Sequence, residues 1–575
     1  MSRSIAFILL GLLPAVADAQ LRVVTWNTLD RPTSSNDADF STIFSAIATE
    51  SINGIARPID VIALQEQTAN SPTNIAAILN GVHGVSSYVA STPSGQGDND
   101  RLAFVYNTAT VQLLQSSLVP SGGTRPFGRA RFRPVGYTTA ASEFYVYSLH
   151  LNASVPATRE IETASLRANA NTLGDVGIIF SGDYNIDDSN ETAMLTLTNA
   201  GGSGRGFDPI DRPGTWTNNA NFASIHTQST RVTDLGDGGA TGGVDDRFDI
   251  HLVSSPMLSG EGVSYLGPTA PGTVATHSYR AFGNNGSVFN RAINDTRNTS
   301  KPRAVLDALH RASDHLPVVM DLQLPARMNV NVAAAPTEVI QGAQVLLPVS
   351  VSNTAPVSTS LAGDELDYSI VGVGAVLGTG AGSIRPLVSA QVTQLILDTT
   401  TVGTRSGSVN VGSSSRAAQN ASFSQPVSFR VLEPARPSFD PLIEVSTMLL
   451  NVRPLIDRPR DELQSVTLHN LADATLGAAM DIDRVLAEGD VDLLRLDLSS
   501  LKPLLPGESI ELVPWLAPDA VGTLFTRYLI EVSDQDLPGE RRHTMEIVLR
   551  ATVPEPQVLL LLPVLLGALR HARRR

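Results

Sequence analysis

A chain of 575 residues is too long for one compact domain; at roughly 100–200 residues per domain it divides into about three to five. A 42% hydrophobic content and a mean hydropathy of +0.04 exclude wholesale disorder, and apolar runs confined to the two ends exclude a polytopic membrane protein. The net charge of −15 gives no global attraction for nucleic acid, so a phosphate ligand needs local arginines or metal ions, and the absence of cysteine removes disulfides, thiolate metal sites and cysteine nucleophiles.

Residues 1–19 read as a secretory signal peptide: Arg3, an apolar run from Ile5 to Leu13, then Ala17-Asp18-Ala19 as the cleavage site. From 20 to 325 short apolar runs alternate with helix-like stretches. Leu21–Trp26, Val61–Leu64, Leu102–Tyr106, Phe144–Leu149, Val176–Phe180, Phe248–Val253 and Leu316–Leu322 read as strands, while Phe40–Ser51 and Thr158–Leu173 carry helical spacing. About 300 residues of this mixture predict an α/β sandwich of two packed sheets.

After Pro325 helical spacing disappears. Val/Ser/Thr/Gly alternation predicts one β-sandwich over 326–437 and a second over 438–552, divided at Pro434-Ala435-Arg436-Pro437. The two are weakly repeated: 49 residues separate Asn353 from Val402 and 51 separate Asn470 from Val521, each pair in similar surroundings. They resemble the Ig-like modules of surface proteins, and spacer or adhesive roles are expected of them. Residues 553–575 close the chain with Val553-Pro554-Glu555-Pro556, an apolar run from Val558 to Leu569, and terminal arginines. As a helix that run spans about 18 Å, too short for the roughly 30 Å hydrocarbon layer, so no permanent transmembrane span is expected. The tail resembles the PEP-CTERM sorting signal. That resemblance implies processing by an exosortase and a place at, or release from, the surface of a Gram-negative bacterium beside an extracellular polysaccharide matrix.

The block 20–325 sets polar residues at the ends of its apolar runs. Asn27, Glu66, His150 with Asn152, and Asp183 with Asn185 follow strands; Asp249 lies inside one; Asp314-His315 precedes the last. Taken singly these are turn or cap residues. Together they suggest a site on one rim of a layered fold. Glu66 and Asn27 are hard oxygen ligands suited to Mg²⁺ or Mn²⁺, and zinc is disfavoured because no compact His/Cys cluster exists. Asp249 and His315 suit an orienter and a base, and Asp183 with Asn185 suits positioning of water.

This ordered set resembles the endonuclease/exonuclease/phosphatase superfamily, the DNase I-like fold. It rests on TWN at 25–27, LQE at 64–66, LHLN at 149–152, GDYN at 182–185, RFDIHLVSS at 247–255 and SDH at 313–315. The resemblance implies a four-layered α/β sandwich and metal-dependent hydrolysis of phosphate esters. It makes Asn27, Glu66 and Asp314 metal ligands, His150 a contact to the scissile phosphate, and Asp183 and Asn185 the water-orienting pair. Asp249 orients His315, with Asp183 and His315 standing as alternative bases. The loop 233–246, rich in Gly and Asp, is either a plain flexible loop or an additional Ca²⁺ site.

For the substrate, Arg129, Arg131 and Arg133 alternate along one strand face, with Arg125 and Arg101 nearby, and arginine forks suit phosphates. Arg101, Arg129, Arg131 and Asn152 are therefore candidate phosphate contacts, against the alternative of a solvated, ion-paired face. The block carries 20 basic and 28 acidic residues, a net of −8, which argues against tight sequence-specific duplex binding. The expectation is a secreted, nonspecific endonuclease. A sphingomyelinase-type or small-phosphoester hydrolase and a catalytically inactive matrix protein are the alternatives.

Overall fold

The computed structural model describes residues 20–33, 37–97, 100–268, 274–453 and 465–554. The expected leader over 1–19, and the expected tail from 555 onward, lie outside the described residues. Among those described, no helix is long and apolar enough to cross a membrane.

The first block opens with β1 (Leu21–Asn27), α1 (Asp37–Thr49), β2 (Val61–Gln67), α2 (Ser71–His83), β3 (Tyr88–Ser91) and β4 (Arg101–Asn107). It continues with β5 (Val111–Val119), β6 (Phe127–Pro134), β7 (Phe144–His150), α3 (Pro156–Asn171), β8 (Gly177–Asp183), α4 (Thr192–Thr198) and β9 (Asp249–Val253). The short β10 (Ser264–Tyr265) and β11 (Arg280–Ala281), then α5 (Arg303–Ala312) and β12 (Val318–Gln323), complete it. One sheet runs β10-β12-β1-β2-β4-β3, with β11 also on β12; the other runs β5-β6-β7-β8-β9.

The alternation of each strand builds four layers. Val23, Val61, Ala63 and Phe104 of the first sheet meet Ala130, Phe132, Phe144, Val146 and Ile179 of the second. On the outer face of the first sheet Val24, Trp26, Ile62 and Leu64 carry Phe40, Phe44 and Ile47 of α1, Leu79 of α2 and Leu309 of α5. On the outer face of the second, Tyr147, Leu149, Ile178 and Phe180 carry Leu166 of α3 and Met194 and Leu197 of α4. Strands covered on both faces are mostly apolar, and the charges that β1 and β12 do carry, Arg22 and Asp321, are buried opposite one another as an ion pair at 2.6 Å.

Two β-sandwiches follow. In the first, the strands Met328–Val332, Leu346–Asn353, Gln391–Leu397 and Val376–Leu377 face Glu338–Ile340, Ser422–Leu432, Gly403–Ser413, Leu366–Gly374 and Thr379–Ile384 around one core. The second repeats the plan, with Thr447–Val452 parallel to Arg542–Val553 as Glu338–Ile340 is parallel to Ser422–Leu432. The repeated asparagines occupy equivalent places. Asn353 accepts from the Arg327 and Ala355 amides and donates to the carbonyls of Asp364 and Ile384. Asn470 accepts from Arg436 and Ala472 and donates to Ala478 and Leu504.

The junction after 325 is not a loose linker. Ala355, Val357 and Ala362 of the first sandwich are buried in the core between the two sheets of the α/β block. The buried Asp364 carboxylate accepts from the Gly262 amide at 2.9 Å. Tyr137 donates to the Pro325 carbonyl at 2.5 Å, beneath the Arg327 guanidinium.

Candidate active site

Strand direction collects the polar residues. β1 runs parallel to β2 and β7 parallel to β8, so their C-terminal ends share a rim. β9 and β12 run antiparallel to β8 and β1, so their beginnings lie on that rim too. Register does the rest within the second sheet: His150 pairs with Asp183, and Asp183 with Asp249. Asn27 has the same parity along β1 as Leu21 and Val23, and its side chain bridges to the other sheet.

Asp183 is the hub. Its Oδ2 accepts from Asn27 Nδ2 at 3.1 Å and lies 3.6 Å from His150 Nε2 and 3.7 Å from His315 Nε2. Asn27 Nδ2 also donates to Glu66 Oε1 at 2.9 Å, and that oxygen is 3.8 Å from His150 Nε2. His315 Nδ1 bonds Asp249 Oδ2 at 2.7 Å, both side chains buried. The carboxylate fixes the ring so that Nε2 faces Asp183, where Gln228 Nε2 approaches it at 2.5 Å. Asn185, at φ +50°, takes its own amide to Asp183 Oδ1 and gives Nδ2 to the Leu151 carbonyl. Gly182 permits the close pairing of β7 and β8 here, since a Cβ would sit 2.0 Å from the Leu149 carbonyl oxygen.

Burial and charge oppose one another across the cluster. For His315, burial disfavours the charged ring, yet the Asp249, Asp314 and Asp183 carboxylates raise its pKa well above the usual value. His150 follows the same pattern, raised by its bond to Asp100 and by Asp183 against the cost of burial. Burial raises Glu66 and Asp249, with His150 and His315 respectively pulling them back.

Among the described residues, Glu66, His150 and Asp183 bring three ligand atoms within 4.8 Å of one another. Two converging carboxylate oxygens on a shielded rim form a hard donor set, which fits a partly hydrated divalent cation such as Mg²⁺ or Mn²⁺. The grouping differs from the expected Asn27, Glu66 and Asp314. Asp314 Oδ2 is taken up by the Ala240 amide at 2.7 Å and Gln228 Nε2 at 3.3 Å. Asn27 turns its Nδ2 toward the carboxylates and its Oδ1 to the Leu29 amide.

The expected phosphate contacts are mostly elsewhere. Asn152 closes the turn that leads into α3, accepting from the Ser154 and Val155 amides, and gives Nδ2 to Thr124. Arg129, Arg131 and Arg133 do share one face of β6, but Arg129 bonds Asn169 of α3 and the other two pair with Glu143. Arg101 opens β4 on the rim, its Nε on the Gly97 carbonyl. The loop 233–246 is neither free nor an open cation cage, because Asp237 is held by Arg31 and Arg231.

Two neighbours escaped the sequence reading. Asp100 bonds His150 Nδ1 at 3.1 Å and pairs with Arg125, whose Nη1 also reaches the His150 carbonyl. Asp100 immediately precedes β4, which is antiparallel to β2, so the strand-end rule that found Glu66 also applies to it. Gln228 lies in irregular chain, and no pattern marks it. A separate cleft of about 500 Å³ between α4 and β9, lined by Phe207, Trp216 and Arg247, shares no residue with the cluster.

No protein-family model matches the chain, and neither does any curated protein sequence. Solved structures do. An endonuclease/exonuclease/phosphatase family protein from Bacteroides thetaiotaomicron is 16% identical, covering 53% of this chain and 98% of its own, at a TM-score of 0.31. D. rerio TDP2 complexed with a single-strand DNA product is 18% identical over 53% of this chain and 100% of its own, TM-score 0.33. The human Nocturnin catalytic domain with bound sulfate is 11% identical over 53% and 94%, TM-score 0.29. Over about half of its length, the chain is similar to structures of endonuclease/exonuclease/phosphatase family proteins.

Proposed function

We propose that residues 20–325 are a divalent-cation-dependent phosphodiester hydrolase of the endonuclease/exonuclease/phosphatase kind, acting on nucleic acid outside the cell. The observation that carries this reading is the placement of Asp183 Oδ2 between Asn27, His150 and His315, with His315 held by Asp249 at 2.7 Å. Glu66 and Asp183 would hold a divalent cation, which when bound would neutralise charge on a phosphoryl oxygen. His150, fixed through Nδ1 by Asp100, presents Nε2 toward the cluster as a donor to a non-bridging oxygen. Asp183, and His315 when its ring is neutral, are the two groups placed to take the proton of an attacking water, and Asp249 stabilises the imidazolium that His315 then becomes. The Ala17-Asp18-Ala19 leader and the PEP-CTERM-like tail support export, exosortase processing and a surface or matrix location.

A second reading draws on Val232 and Leu235, which are 47% and 44% exposed on the loop beside the site. Two apolar side chains there suit a lipid phosphodiester. Purified protein assayed with Mg²⁺ or Mn²⁺ on plasmid DNA, RNA, sphingomyelin vesicles and bis(4-nitrophenyl) phosphate separates the two. Cleavage of nucleic acid but not vesicles supports the first reading; intact nucleic acid with vesicle hydrolysis overturns it.

A further inference from the structure

Beside the Asp314 side of the cluster two guanidinium groups share one carboxylate. Arg31 Nη2 and Arg231 Nη1 each donate to Asp237 Oδ2 at 2.5 Å. The Arg231 side chain is fully buried, and its Nε and Nη2 have no hydrogen-bond partner. Two cations thus face one anion through a single oxygen, while Asp237 Oδ1 takes only the Gly239 amide at 3.2 Å. Burial alone would raise the Asp237 carboxyl, but Arg231, the Gly239 amide and Arg31 hold it below the usual range.

The carboxylate sits on a glycine-rich loop. Gly236 and Gly238 flank Asp237 at φ +76° and +84°, and a Cβ at either, or at Gly242, would meet nothing within 4 Å. The loop is tied to the block through Asp237, through the Ala240 amide on Asp314, through Ser229 Oγ on the Ala240 carbonyl, and through backbone bonds of Gly243 with Ser229 and Arg231. It also covers what it neutralises, since a Cβ at Gly239 would sit 2.9 Å from Arg231 Nη2. Lifting it exposes two arginines with donors to spare, at the edge of the cluster.

We propose that Arg31 and Arg231 form a second phosphate subsite, for a phosphate of the substrate chain next to the scissile one, and that Asp237 fills it as an internal competitor until substrate enters. The assignment rests on the phosphodiesterase reading above. A phosphodiester offers two non-bridging oxygens where the carboxylate offers one to the arginines, so it can satisfy the fork of Arg231 as well as Arg31. Entry of the substrate then exchanges one anion for another and swings the glycine-flanked loop outward.

Direct binding of inorganic phosphate tests this without turnover. In metal-free buffer at constant ionic strength, calorimetric titration of Asp237→Ala is expected to give about tenfold tighter phosphate binding than wild type. The gain is expected to vanish in Asp237→Ala/Arg31→Ala. Asp234→Ala removes a carboxylate of the same loop, one that accepts only from the nearby Gly236 amide, and is expected to bind like wild type. Asp237→Asn, which keeps the side-chain shape, gives a smaller gain in the same direction. Equal affinities for wild type and Asp237→Ala, or an equal gain in Asp234→Ala, would overturn the subsite. In kinetics, Arg31→Ala raises KM for an oligonucleotide and leaves bis(4-nitrophenyl) phosphate unchanged; equal loss on both substrates would also overturn it. A phosphate-binding gain in a protein that hydrolyses no phosphodiester would refute the functional reading and retain the anion site. Hydrolysis without the gain would do the reverse.

Discussion

Asp364 makes the junction between the α/β block and the first sandwich sensitive to pH. Its carboxyl is 2% exposed, and burial, with Glu261 and Asp367 adding to it, pushes the pKa up to about 8 against the Gly262 and Glu365 amides. A carboxyl raised on folding contributes stability that is complete below its unfolded pKa near 3.8 and is lost as pH climbs through the folded value. The full swing between those two values is worth about 6 kcal/mol at ~1.4 kcal/mol per pH unit. Roughly 4 kcal/mol of it falls between pH 5 and pH 8. Replacing Asp364 with Asn keeps an oxygen for the Gly262 amide and removes the titration. Urea unfolding at pH 5, 6, 7 and 8 is therefore expected to show wild type losing stability relative to Asp364→Asn across that window, with the two closest at pH 5. Parallel pH profiles would refute the reasoning, because other titrating groups are common to both proteins.

Two further outcomes follow from the geometry. Ending the chain at 325 withdraws Val357, Ala355 and Ala362 from the inter-sheet core; burial of a side chain such as Val357 is worth about 1.5–3 kcal/mol, so residues 20–325 should melt several degrees below the same block in the whole protein, read by differential scanning calorimetry. Asp249→Asn turns the partner of His315 Nδ1 from an obligatory acceptor into an amide; kcat is expected to fall about 10²–10⁴-fold with KM little changed, and an unchanged kcat in steady-state assays would remove His315 from the chemistry.

The apolar strands were legible because strands buried on both faces leave long hydrophobic runs. The expected runs at 61–64, 144–149 and 176–180 fall on β2, β7 and β8, and the two helical stretches fall on α1 and α3. The site was legible for a related reason: strand direction places strand-end residues on one rim, so order along the chain was enough to gather Asn27, Glu66, His150, Asp183, Asp249 and His315. The pairing of Asp249 with His315 was legible too, but other side-chain partners were not. Asn152 looks like its neighbours in the motif but spends its oxygen on the turn before α3. Arg129 and Arg131 lie on one strand face as their alternation required, yet which layer covers that face depends on where α3 and Glu143 pack. The burial of Val357 in the core of the α/β block involves contacts too distant in sequence for any local pattern to report.

Asp183 is the group on which the proposed hydrolysis most directly depends. Its test is the cleavage of plasmid DNA by the purified protein in Mg²⁺ or Mn²⁺, beside Asp183→Ala protein of matched folded content. Nicking and degradation by wild type, abolished by EDTA and reduced by several orders of magnitude in the variant, is the predicted result. Cleavage by Asp183→Ala at the wild-type rate, or cleavage that persists in EDTA, would contradict it.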